Sequence, residues 1–118
     1  MTVESAIFDA LTGLVSGRVY PDVAPAGVAR PYLVFQQVGG ESAQYLDSTL
    51  PSRKNGRFQI AVWGDSRTSV AALALLAEQA IATSAAFQAT PVGAPVGDYE
   101  SDTKLYGARQ DFSIWSAR

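Results

Sequence analysis

The chain has 118 residues and a formal net charge of −2, with 47% hydrophobic and 17% charged residues, the balance of one folded domain able to bury its own core. It contains no cysteine and no histidine, which excludes disulfides, thiolate chemistry and Cys/His metal sites and removes the commonest general base. Its mild acidity gives no basic footprint for sequence-independent nucleic-acid binding.

No apolar run approaches the ~20 residues of a bilayer span, so no membrane partner is expected. The start, Met-Thr-Val-Glu-Ser, lacks the basic segment of a signal peptide, and the chain is expected to stay where it is made. Thr2 is placed to cap a helix on which Val3, Ile7, Ala10, Leu11 and Leu14 recur at helical spacing. Gly13 weakens that helix and Gly17 ends it. Residues 18–21, Arg-Val-Tyr-Pro, form a short extended piece, and 22–30, with Pro25 and Gly27, a loop.

Pro31 opens a strand running to Val38, whose continuous apolar start implies burial on both faces. Residues 39–55 then read as one long polar loop, expected to be mobile because few apolar side chains offset its ordering cost. It joins the first strand of a hairpin to 57–63, Arg-Phe-Gln-Ile-Ala-Val-Trp. There Phe58, Ile60 and Val62 alternate with Gln59 and Ala61, the period of a strand with one buried face.

Asp65 or Ser66 caps a helix expected to reach about Ser84, its stripe formed by Val70, Leu73, Ala74, Ala77, Ala80 and Ile81. Arg67 and Glu78 fall to its wet face. Residues 87–90 suggest a short strand, 91–97 a loop and 98–106 an extended arm, with Gly107 where a bulge would re-aim the chain. The closing stretch 109–115 repeats the frame of 57–63, from Arg109 to Trp115 with Phe112 and Ile114 between. The expected fold is α+β over residues 1–118 as a single domain: a mostly antiparallel sheet of about four to five strands, with a short N-terminal helix and one long helix packed on one face.

Asp98, Glu100 and Asp102 are the nearest thing to a metal or acid/base cluster, since two-residue spacing on an extended segment aligns them on one face. A calcium loop starting at Asp98 would need glycine at Thr103 and glutamate at Arg109, so no metal site is expected. No catalytic or cofactor-binding residue is expected either. Arg53, Lys54 and Arg57 form a basic group that reads as a solvated turn or as a contact for an acidic partner. Trp63 and Trp115 end their strands on the face opposite Phe58, Ile60 and Val62. They read either as peripheral packing or, with Tyr32 and Val34, as a second apolar surface covered by another subunit.

The order of these features resembles the tail-completion, or tail-terminator-like, proteins of long-tailed double-stranded DNA phages and prophages. The residues that carry it are Val-Tyr-Pro at 19–21, Pro-Tyr-Leu-Val-Phe-Gln at 31–36, Val62-Trp63 before an alanine-rich helix, and Phe-Ser-Ile-Trp at 112–115. The resemblance implies a non-enzymatic subunit that caps the head-proximal end of the tail tube as a ring, typically six-fold, and provides the head–tail joining surface. Its implied partners are further copies of itself, the major tail tube protein and the head–tail connector protein. DNA would pass through the lumen without sequence-specific binding. Assembly would occur in the bacterial cytoplasm, with the protein ending at the head–tail junction of the virion. The alternatives are another connector or minor tail subunit, or a small α+β ligand- or nucleic-acid-binding module.

Overall fold

In the computed structural model, which describes residues 2–118, the Thr2 side chain accepts from the Ser5 amide at 3.1 Å and starts helix α1, Val3–Leu11. A 3-10 turn, Thr12–Leu14, follows. Gly17 then takes φ +85 and its amide bonds to the Thr12 carbonyl, closing the helical segment as the glycine suggested. Strand β1 is Val19–Pro21 and β2 is Tyr32–Gln37. Strand β3 is Arg53–Gly64, and Ser66 caps helix α2, Arg67–Ala82, by accepting from the Ser69 amide. Three more strands complete the chain: β4, Gln88–Pro91; β5, Val96–Glu100; and β6, Leu105–Ala117.

Among the described residues the sheet has six strands in the order β1-β2-β3-β6-β4, with β5 also paired to β6. Only β1 and β2 run parallel. Two expectations are corrected here. The sheet is larger than four to five strands because the stretch expected as loop and arm contains β5. The basic residues Arg53 and Lys54 begin β3 instead of lying in the loop, because β3 stays paired with β6 as far as Arg53 opposite Ala117.

The β3–β6 ladder is the spine of the molecule. Its twelve residues span about 40 Å at ~3.3 Å per residue, and the whole chain extends 52 × 25 × 23 Å. On the other side of β6 lie β4 and β5 in succession. Between the pairs Pro91–Phe112 and Val96–Arg109 the edge advances five residues and β6 only three, so residues 92–95 bulge outward.

Phe58, Ile60, Val62, Phe112 and Ile114 point to one face and are buried with Val70, Leu73, Ala77 and Ile81 of α2 and Val3, Ile7 and Leu11 of α1. Both helices therefore cover the same face, as the alternation in β3 and β6 required.

Candidate assembly surface

Among the described residues the opposite face of the sheet carries no helix. Along β3 it presents Arg57, Gln59, Ala61 and Trp63, and along β6 Arg109, Asp111, Ser113 and Trp115. Tyr32 is registered with Trp63 and Val34 with Ala61. The structure thus joins Tyr32, Val34 and Trp63 in one half-buried apolar patch. Trp115 is not part of it: it pairs with Asn55, eight residues back along β3 from Trp63, or about 26 Å. The Trp63 ring lies over Gly107 of the neighbouring strand, so Gly107 serves close approach and does not bulge the strand. Burial lifts the Tyr32 phenol above its ordinary range, with the Glu100 carboxylate adding to the effect and Arg30 opposing it.

The basic group is divided. Arg53 and Arg57 sit on the open face, whereas Lys54 lies on the helix side, beside Val3, Gly56 and Ser116. Arg57 is committed to Asp111 at 2.8 Å across the ladder, and Arg53 donates to the Trp115 carbonyl at 3.2 Å. Among the described residues no ion pair includes Lys54.

The three acidic positions also disperse. Asp98 pairs with Arg109 at 3.0 Å, Glu100 accepts from the Thr103 hydroxyl, and Asp102 lies in the turn before β6. Among the described residues no three acidic side chains are grouped to hold a metal ion.

Arg67 is exposed and Glu78 half-buried, in keeping with a wet face, but both also act as tethers. Arg67 donates to the Gly107 carbonyl at 2.9 Å and the Asp98 carbonyl at 2.7 Å. Its guanidinium lies 5.5 Å from the Tyr106 ring centre, within cation–π range. Glu78 accepts from the buried Gln110 amide, which also donates to Gly93 O of the bulge. Both residues border the strands because α2 lies across β6.

Two apolar exposures escaped the sequence reading. One is the crest of the 38–52 loop, with Tyr45, Leu46 and Leu50; the other is Leu75 and Leu76 of α2 with Val96 and Tyr99 of β5. For α2 the signal was present, since two leucines fall outside the helical stripe. For the loop, Leu46 and Leu50 stand among polar neighbours and carry no period.

A family model described as Tail completion protein gp17 matches residues 7–117. A chain from the virion of a native gene transfer agent particle has a similar fold, with TM-score 0.59 at 17% identity over 98% of this chain and 95% of that one. No curated protein matches the chain.

Proposed function

Because the chain belongs to the tail completion protein gp17 family and is a structural phage tail protein, we propose that it closes the head-proximal end of the tail tube as a homo-oligomeric ring. In this reading the role is non-catalytic, and the ring, six-fold like those its sequence resembles, presents its other side to the head–tail connector. DNA passes through the lumen without base-specific contacts. The observation that carries the reading is the uncovered sheet face, where Tyr32, Val34, Ala61 and Trp63 form an apolar patch opposite the buried core. Aromatic patches of this kind gain most when another protein surface excludes water from them. Arg53 and Lys54, at one end of the spine, would meet acidic groups of the tail tube and help set the register.

The test is electron microscopy of particles from a phage lacking this gene. Tails that fail to join heads or vary in length, restored by the gene in trans, are the expected result. Normal joined tails without the protein would sink the reading, and a defect confined to connector assembly would instead favour a connector role.

A further inference from the structure

The 38–52 loop is built to hold an apolar side chain away from the protein. Its base is tied by the Arg57 amide to the Gly39 carbonyl at 2.8 Å and by the Glu41 amide to Asn55 Oδ1 at 2.9 Å. Its crest is a turn in which the Tyr45 amide bonds to Thr49 O, the Ser48 amide bonds to Tyr45 O, and Asp47 accepts from both the amide and hydroxyl of Thr49. Leu46 stands on this turn with its side chain fully exposed. A turn held by its own hydrogen bonds restricts the backbone beneath such a side chain, which lowers the entropic cost of docking it.

At the other end of the molecule a groove runs between α2 and β5. Ala71, Ala74 and Ala108 form its floor, Leu75 one wall, and Pro95 and Tyr99 the other. Leu75 remains 63% exposed and Tyr99 54%, so the walls of the groove are apolar and open to solvent. Arg67 closes one end. Among the described residues its guanidinium bonds only to carbonyl oxygens, and the Asp98 carboxylate pairs with Arg109. The groove therefore keeps a positive charge, while the only charged residues in 38–52 are Glu41 and Asp47.

The two features cannot meet within one chain. The loop leaves β3 at Arg53, whereas the groove lies beside Ala108, the partner of Val62 nine residues further along. That is about 30 Å of ladder between them.

We propose that the Leu46 crest of one subunit docks in the α2–β5 groove of a second copy, with Asp47 facing Arg67. This rests on the ring reading and adds the contact that would build it. Because knob and groove are different surfaces, the contact is head-to-tail, the kind that closes into a ring when the rotation per subunit permits.

The absence of cysteine makes the test clean. The double variant Leu46→Cys/Leu75→Cys, treated with a short bismaleimide, should give a ladder of dimer, trimer and larger species. The control Leu46→Cys/Ala85→Cys uses an exposed position beyond the end of α2. Cross-linking of the first pair should exceed the control by about tenfold, as docked thiols at high effective concentration react faster. Leu46→Asp should abolish phage complementation with an unchanged melting temperature. Equal rates for the two pairs, or capture of the tail tube protein at Leu75→Cys in place of a second copy, overturns the contact. If the wild-type protein still forms rings on tails in that case, the ring reading stands and only this contact falls. If no oligomer forms in solution or on tails, both fall.

Discussion

The indole of Trp63 occupies the space that any side chain on Gly107 would need. A Cβ on Gly107 would lie 2.6 Å from the ring, and the two residues are direct partners in the β3–β6 ladder. Gly107→Ala must therefore displace a large aromatic or spread the strands. The expected cost is about 1–3 kcal/mol, the usual range for overpacking. Urea denaturation followed by tryptophan fluorescence measures it, and in a Trp63→Ala background the penalty should largely disappear. An equal penalty in both backgrounds would locate the strain elsewhere.

The core prediction follows from the shared face of β3 and α2. Ile60 is 2% exposed, registered with Phe35 on one side and Gln110 on the other. Ile60→Ala should destabilise the fold by about 2–5 kcal/mol through lost burial and a residual cavity. A shift no larger than that of an exposed control such as Thr68→Ala would contradict this packing.

Gln110 is a buried polar side chain set between Ala108 and Phe112 on the helix-covered face of β6. Its amide donates to both Glu78 and Gly93 O. Gln110→Leu keeps the volume but leaves the Gly93 carbonyl without its donor, with an expected loss of about 1–3 kcal/mol. Glu78→Gln should be nearly neutral, since an amide oxygen still accepts. The same urea melt checks the pair, and a neutral Gln110→Leu would mean that water replaces the donor at the bulge.

Charge reversal at the loop end of the spine separates stability from assembly. Arg53 and Lys54 are exposed and point to opposite faces. Arg53→Glu/Lys54→Glu should move the melting temperature little, because exposed polar contacts contribute only about 0–1 kcal/mol. Tail completion in a complementation assay should fall. Normal infectious yield removes these residues from the mechanism.

The acidic strand should bind no metal. Asp98→Asn, Glu100→Gln and Asp102→Asn in combination should leave the fold intact and calorimetric titrations with calcium, magnesium or manganese featureless, as for the wild type. Asp98→Asn loses one exposed pair with Arg109, worth at most about 1 kcal/mol. Micromolar binding that vanishes in the triple variant would restore the metal reading.

What the sequence determined by itself was everything encoded in a local period. Phe58, Ile60 and Val62 at spacing two, and Val70, Leu73, Ala77 and Ile81 at helical spacing, define faces because one side of each element meets a core. Thr2 and Ser66 mark helix starts through side-chain oxygens that accept amides three residues on, and Gly17 marks an end through its amide bond to the Thr12 carbonyl, all equally local. Strand β5 offered no such pattern, since none of its five residues is buried; its existence depends on pairing with Leu105 to Arg109, a contact the local chain cannot announce. The side taken by Lys54 was set by how far β3 extends along β6, and a shift of one residue reverses every side chain. The tethers from Arg67 and Glu78 arose only when α2 was laid across the strands, because their partners are the carbonyls of Asp98 and Gly107 and the side chain of Gln110. Registry between distant strands and the placement of a helix on them are long-range choices, and the tertiary structure alone decided them.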